Sequence, residues 1–334
     1  MAVNIYEVSE AAGVSIATVS RVLNNSPKVS EKTKQSVLSV IESLGYTPNA
    51  FAQGLGLKSM KTVGILCADS SDTFFASLIY HLEEDLRRNG YNCILCCSGH
   101  ELERKKASVA FLQSKLVDAL ILLGSTYMEK NAKDTEYLLR TAEQIPIICI
   151  NSHLKHHNIF CVENDPYESI YKVTKLALDS GRRKPVFLFR RNDFYSREKQ
   201  RGFLTAASES GIQDPPIIKC PQSIADAAAF LTGTITDCPD VVIAAHDEMA
   251  VAFLKFAKRS GISVPEDCIL IGHGDLLLAE CCEPELTTVN LHIPQLSSTA
   301  VAGLMQVLQG GTPPHSITVA GDLHIRSTTI GFEG

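Results

Sequence analysis

Three sets of residues have types and spacings that could carry chemistry. Thr18, Ser20 and Arg21 lie close together, with the small apolar Ile16 and Ala17 just ahead of them. Hydroxyl and guanidinium donors in such a cluster suit phosphate oxygens. Cys93-x-x-Cys96-Cys97 has a spacing used by zinc sites, but no second pair follows at finger distance. The set falls in an apolar run of strand character, where alternate side chains point to opposite faces. Buried thiols are therefore expected there and at Cys281-Cys282. His153, His156 and His157 offer imidazoles in a polar loop without a cysteine or carboxylate set, so no metal is expected. Gly54-Leu55-Gly56 lacks the third glycine and the preceding strand of a dinucleotide loop, and the chain has no G-x-S-x-G elbow, P-loop or H-E-x-x-H. Neither catalysis nor a cofactor is expected.

The donors near residue 20 need a local scaffold. Asn4-Ile5-Tyr6-Glu7 has the form of a capping box, opening a helix to about Ala12. Gly13 supplies a tight turn, and Ser15 can cap a second helix from Ile16 to about Leu23. Ser30 can cap a third, with Val37, Leu38, Val40, Ile41 and Leu44 at helical spacing and Gly45 as its stop. Val8, Ala12, Val14, Val19 and Val22 can share a small core. Two short helices at a glycine turn, then a third, make a helix-turn-helix unit whose second helix would enter a DNA major groove. A three-helix bundle that merely packs has the same period. Charge leans toward a polyanion partner: residues 1–61 hold six Lys/Arg and four Glu, leaving −8 on the rest of a chain whose net charge is −6.

The remaining residues alternate apolar runs with amphipathic stretches. Strands are expected at Val63–Ala68, Cys93–Ser98, Ala119–Leu123, Ile147–Ile150, Val186–Phe189, Ile217–Cys220, Val241–Ala244 and Cys268–Ile271, with helices such as Phe74–Arg88, Glu101–Leu116, Tyr167–Ser180 and Asp247–Ser260 between them. Continuous apolar strands separated by helices indicate an α/β fold of parallel sheets covered on both faces. The length suggests two lobes. Ligands of open α/β sheets bind beyond the carboxyl ends of the strands. That selects the loops Asp69–Phe75, Ser98–His100, Gly124–Tyr127, Asn151–His153, Arg190–Lys199, His246–Asp247 and Gly272–Asp275. With 45% hydrophobic and 20% charged residues, disorder, collagen and coiled-coil fibre are excluded. No apolar stretch reaches the roughly 18 residues of a membrane span. The first residues do not read as a secretory signal, so the eleven cysteines are expected to be reduced thiols in a cytoplasmic protein.

Ala11-Ala12-Gly13-Val14-Ser15-Ile16-Ala17-Thr18-Val19-Ser20-Arg21-Val22-Leu23-Asn24, then Val29-Ser30 and Leu44-Gly45-Tyr46-Thr47-Pro48-Asn49-Ala50, resembles the headpiece of the LacI/GalR family of bacterial transcriptional regulators. The similarity continues through the whole chain. It implies a DNA-binding domain at 1–47, with Ser15, Ile16, Ala17, Thr18, Ser20, Arg21, Asn24 and Asn49 at the DNA. It also implies a hinge at 48–61, whose Leu55 would wedge into the minor groove. Gln53, Gly54 and Gly56 depart from the family's hinge, and glycine disfavours helix by about 0.5–1 kcal/mol against alanine. The body, 62–334, resembles periplasmic binding proteins, which implies lobe one at about 62–160 and 292–322 and lobe two at about 161–291 and 323–334.

Within the body, Ser71-Asp72-Thr73-Phe74-Phe75, His246-Asp247-Glu248-Met249-Ala250, Arg197-Glu198-Lys199-Gln200-Arg201-Gly202-Phe203 and Ile271-Gly272-His273-Gly274-Asp275 resemble the family's effector motifs. The resemblance places Phe74, Phe75, Ser125, Asn151, Arg197, Lys199, His246, His273 and Asp275 at the effector. Lys199 stands where an arginine is usual, Gly274 where an aspartate is, and His246 where an asparagine is. These versions are more similar to the gluconate-repressor branch. Loss of a carboxylate beside Arg197, Lys199 and two histidines suggests an anionic effector, a sugar acid such as gluconate or a sugar phosphate. The implied function is an effector-controlled regulator, a repressor by expectation, acting as a homodimer on double-stranded operator DNA and not on a membrane. Control by a phosphorylated carrier protein is the alternative. Operator sequence, and whether the effector induces or co-represses, are not written in the residues.

Overall fold

A computed structural model describes residues 3–23, 26–46, 59–129 and 131–332. The N-terminal unit holds α1 (Ile5–Ala11), α2 (Ile16–Leu23) and α3 (Glu31–Leu44). The expected capping box is present: Asn4 Oδ1 accepts from the amides of Tyr6 and Glu7, and the Asn4 amide donates to Glu7 Oε2 at 2.9 Å. Ser15 Oγ accepts from the Thr18 amide at 3.2 Å and Ser30 Oγ from the Thr33 amide. Gly45 ends α3 at φ +61°, a left-handed conformation that glycine adopts without a Cβ penalty. Val8, Val19, Val22 and Val37 form the buried centre, with Ala12 and Val14 packed at its edge.

The body is built on two six-stranded sheets. The first has the order β11-β5-β4-β3-β1-β2 and is parallel throughout, with β1 Thr62–Cys67, β2 Asn92–Cys97, β3 Ala119–Leu123, β4 Ile147–Ile150, β5 Ile159–Glu163 and β11 Ser316–Thr318. The second has the order β12-β10-β9-β8-β6-β7, with β6 Pro185–Phe189, β7 Ile217–Lys219, β8 Val241–Ala244, β9 Ile269–Gly274, β10 Thr287–Asn290 and an antiparallel edge strand β12 Asp322–His324. Helices α4 (Thr73–Arg88) and α12 (Ile293–Leu308) cover one face of the first sheet with Leu78, Leu82, Leu296 and Leu304; α5 (Leu102–Ser114) and α6 (Ala132–Ala142) cover the other with Leu112 and Leu138. The second sheet is covered by α9 (Ile224–Thr234) with α10 (Asp247–Ser260) on one face and by α7 (Pro166–Asp179) with α8 (Phe194–Glu209) on the other. A short α11 spans Leu277–Cys281. Burial of both faces explains why the central strands β1, β3, β4, β6, β8 and β9 read as continuous apolar runs.

The chain changes sheet after β5, after β10 and between β11 and β12. The expected boundaries at 160 and 322 thus fall inside β5 and at the first residue of β12. Asn164 ties the three crossings together: its side-chain amide donates to the carbonyls of Leu291 at 3.1 Å and Val319 at 2.9 Å, and its backbone amide to Asn151 Oδ1 at 2.9 Å. A crossing strand has no sheet partner of its own, so side-chain hydrogen bonds satisfy its backbone groups.

The cysteine expectation needs correction. β2 is an edge strand, so Cys93 and Cys96 are half-buried and Cys97 is exposed. Cys281 is exposed and Cys282 half-buried, because α11 lies at the surface. The polar loop after β4 also differs from expectation. Folding brings Glu143 to His156, Nε2 to Oε1 at 2.9 Å, and Glu143, His156 and His157 place ligand atoms within 4.8 Å of one another.

Candidate functional site

The N-terminal unit presents a polar face. Val19 and Val22 point into the core, which turns Ser15, Ile16, Ala17 and Arg21 outward, all exposed, with Thr18 and Ser20 half-buried. Ile16 keeps 38% of its surface in water, large for an isoleucine at the start of a helix. An exposed apolar residue leading a row of donors matches a helix that enters a groove by its first turn. Asn24, Asn49 and Leu55 lie outside the described residues.

Between the lobes lies a cleft of about 750 Å³, open in part to solvent. Phe74, Phe75, Ser125, Asn151, Lys199, His246 and His273, all named from the sequence, line it. Phe75 packs on Gly124, whose φ of +86° and lack of a Cβ are both required: a Cβ there would sit 2.6 Å from the Phe75 ring.

Arg197 and Asp275 do not line the cleft. Asp193 caps α8, its carboxylate accepting from the Ser196 amide at 2.8 Å, so the helix begins at Phe194 and Arg197 is helical rather than in a loop. Tyr195 and Lys199, four residues apart, share the cleft face; Arg197, between them, points to solvent and among the described residues reaches only the Asn192 carbonyl. Asp275 is drawn away by Arg326 and His324, each at 2.8 Å.

The sequence selects the loop Arg190–Lys199 but names neither arginine at its start as an effector residue. Arg190 and Arg191 follow directly on β6, and that position at a strand's carboxyl end was the signal for them. Arg190 pairs with Asp72 at 3.0 Å and with Glu248 at 3.6 Å, and Arg191 pairs with Asp72 at 3.4 Å. Thr73 donates to Glu248 Oε1 at 2.6 Å. Asp72 and Thr73 belong to lobe one and the other three to lobe two, so this network joins the lobes across the cleft. Asp72 and Glu248 are both nearly buried; removing the cation between them would leave Asp72 with the longer Arg191 contact and Glu248 with the Thr73 hydroxyl.

Lys199 is buried, and its Nζ donates to the Ala245 carbonyl at 2.7 Å. Burial lowers its pKa to about 8, partly offset by Asp193. The two histidines add no charge. Burial first, then the positive charge of Lys199, holds His246 and His273 well below the usual imidazole range. The expectation of a cleft made positive by histidines is therefore corrected: the charged residues lining it are Arg190, Arg191 and Lys199 against Asp72, Asp193 and Glu248. Asp247 is buried too, accepting from Thr288 Oγ1 at 2.6 Å and the Leu276 amide at 2.9 Å, with its pKa raised by burial to about 6. It explains Gly274, where a Cβ would lie 3.2 Å from Asp247 Oδ2 and a second carboxylate would crowd the first. Polar atoms remain buried without a partner among the described residues: Arg190 Nε, Arg191 Nε, His246 Nε2 and His273 Nδ1. Unpaired buried donors are costly, and a ligand can satisfy them.

Known proteins share both parts of this architecture. Residues 4–49 match the family described as bacterial regulatory proteins, lacI family, and residues 175–329 match the periplasmic binding protein-like domain. An HTH-type transcriptional regulator of Lachnoclostridium phytofermentans is 43% identical over 98% of this chain and 99% of its own. The chain belongs to the lacI family. As a lacI-family member it is a DNA-binding transcriptional regulator, and its relatives are regulators, not enzymes. Its fold is also that of the lac repressor dimer bound to operator and the anti-inducer ONPF, with TM-score 0.88 at 22% identity over 98% of this chain and 99% of that one. A LacI family regulator from Enterococcus faecium with bound ribose gives 0.71 at 21% identity, covering 81% of this chain and 100% of the other. Among the described residues no helix is long and apolar enough to cross a membrane.

Proposed function

We propose that this lacI-family regulator represses transcription as a homodimer on a pseudo-palindromic operator, and that a sugar acid of the gluconate type, or a sugar phosphate, sets its operator affinity from the cleft. The observation that carries the ligand class is Lys199. Its ammonium is buried, and the Ala245 carbonyl is its one hydrogen-bond acceptor among the described residues, although an ammonium has three donors. A carboxylate or phosphate would supply the missing charge and acceptors. Asp72, Asp193, Glu248, Asn151 and Asn164 offer acceptors for hydroxyls, and Phe74 offers an apolar surface to C–H groups. A polyhydroxylated acid uses both sets, whereas an uncharged sugar leaves the ammonium short of acceptors.

One helix-turn-helix per chain supports the dimer, since paired units read half-sites related by two-fold symmetry. Ligand control follows from linkage: the ligand shifts operator affinity only as far as it prefers one lobe arrangement to the other. Calorimetry with gluconate, sugar phosphates and their neutral parent sugars tests the ligand, and operator gel shifts with and without the bound compound test the coupling. Tighter binding of the neutral sugars would refute the anion. If none of these compounds binds while a phosphorylated carrier protein alters operator affinity, control belongs to that protein. Light scattering that finds only monomer with DNA would refute the dimer.

A further inference from the structure

Cys67 and Cys97 are partners in register on adjacent strands β1 and β2, and their Sγ atoms lie 3.8 Å apart. Neighbouring strands run about 4.8 Å apart, within the Cα window a disulfide accepts. The two thiols differ in setting. Cys97 is exposed on the edge strand, while Cys67 is fully buried beneath the sheet's helices. We propose that Cys97 and Cys67 form a reversible oxidation site that reacts with a peroxide, Cys97 as the attacking thiol and Cys67 as the resolving one.

The chemistry closes in two steps. The Cys97 thiolate attacks one oxygen of the peroxide; the O–O bond breaks as the S–O bond forms. The released hydroxide or alkoxide takes up a proton, leaving a sulfenic acid on Cys97. Sulfur has then lost two electrons and the peroxide has gained them. The Cys67 sulfur next attacks the Cys97 sulfur; the S–S bond forms, the S–O bond breaks, and the departing hydroxide takes the Cys67 proton as water. A dithiol reductant reverses the change.

The surroundings favour this order. Hydrogen bonds from Ser70, then from Cys67, lower the Cys97 pKa, whereas burial raises that of Cys67 to about 12. A thiol of thiolate character, accessible and beside a second cysteine, has the makings of a redox-responsive site. Cys149 and Cys161 are a second register pair, on β4 and β5, but both are buried and out of reach of the oxidant. Ser70 lies in the segment from β1 to α4, three residues before Thr73, so a disulfide that removes the Cys97–Ser70 interaction acts on the lobe-one edge of the cleft.

The test uses the reduced full-length protein. Stoichiometric hydrogen peroxide followed by non-reducing peptide mapping should yield a Cys67–Cys97 linked peptide within one chain, lost on addition of dithiothreitol. Before oxidation, iodoacetamide should modify Cys97 about tenfold faster than the equally exposed Cys238, whose pKa burial raises. In Cys67→Ala, dimedone should trap a sulfenic acid at Cys97, and in Cys97→Ser no link to Cys67 should form. If Cys67→Ala does not fold, the map of the unsubstituted chain decides alone. A map in which Cys67 stays reduced while other thiols oxidise, or equal alkylation of Cys97 and Cys238, would overturn the proposal.

Discussion

The N-terminal helices and the interlobe cleft both gather polar side chains, by opposite means. On α2 the core takes Val19 and Val22, while Ser15, Ile16, Ala17 and Arg21 stay in water. At the cleft and just behind it, Asp72, Lys199, Asp247, Glu248 and His273 are nearly buried and paired with neighbouring side chains or backbone. A surface that meets DNA needs little internal order, since the phosphates supply charge and the contact is screened by salt. A site for a small molecule must hold its groups out of water before the ligand arrives, and each group costs desolvation unless paired. Substitutions in the cleft should therefore damage stability as well as binding, and those on α2 binding alone.

The sharpest test is Arg190→Met. It leaves Asp72 and Glu248 buried without their main cation, and breaking such a pair costs about 3–5 kcal/mol. The urea midpoint of the body should fall steeply, and effector response with it. Arg21→Ala should change stability by no more than about 0.5 kcal/mol and leave the midpoint nearly unmoved, as an exposed substitution does. An unchanged midpoint for Arg190→Met would mean that the interlobe network contributes nothing, and the comparison would fail.

Lys199 sharpens the contrast through pH. Its pKa in the folded protein is about 8, against an ordinary lysine value of 10.5. Between those values the unfolded chain binds a proton that the folded chain has released, so stability rises with pH through that window, by about 3 kcal/mol at most for a shift of this size. Binding of an anion needs the ammonium, so affinity for a sugar acid should fall as pH rises above about 8. Lys199→Met should abolish both dependences, seen in denaturation and calorimetry across pH. Anion affinity that is flat through this range would remove Lys199 from the ligand.

On the DNA side the effects are expected to be smaller and to depend on salt. Arg21→Ala should weaken binding to operator and random DNA alike and reduce the salt slope by about one unit if the guanidinium meets a phosphate. Leu55→Ala should weaken operator binding more than random-DNA binding, because a wedge is engaged only at a bendable step. Gel shifts at several salt concentrations measure both. Equal losses for Leu55→Ala on the two DNAs would contradict the wedge.

The two regions also differ in how far the sequence reveals them. Asn4 with Glu7, Ser15 with Thr18 and Ser30 with Thr33 act over three residues, so the helix-turn-helix is visible from spacing. The central strands are visible because both their faces are apolar, whereas β5, β10, β11 and β12 are absent from the sequence expectation; β11 and β12 are three-residue edge strands with polar residues and carry no apolar run. The cleft depends on contacts between remote segments: Asp72 with Arg190, Thr73 with Glu248, Asp275 with Arg326. No local pattern announces which carboxylate a distant arginine will claim. Six of the seven loops the sequence selects contribute lining residues to the cleft, Ser98–His100 being the exception, yet Asp275 is paired with Arg326 and burial lowers the His273 pKa.

Arg197→Ala carries the smallest expected effect and isolates that lesson. Sequence motif and charge both place Arg197 at the effector, but the Asp193 cap starts α8 early enough to set residues 195 and 199 on the cleft face and 197 on the solvent face. Its one hydrogen bond among the described residues, to the Asn192 carbonyl at 3.3 Å, is exposed and belongs to the loop before the helix. Removing the side chain should change stability by no more than about 0.5 kcal/mol. Effector affinity should change by less than about threefold, because an exposed charge acts on the cleft through water and salt. Lys199→Met, two residues away, should lose most of the anion affinity in the same calorimetric titration. If Arg197→Ala instead costs as much as Lys199→Met, the side chain must swing into the cleft when the ligand binds. The geometry of α8 would then describe only the ligand-free arrangement.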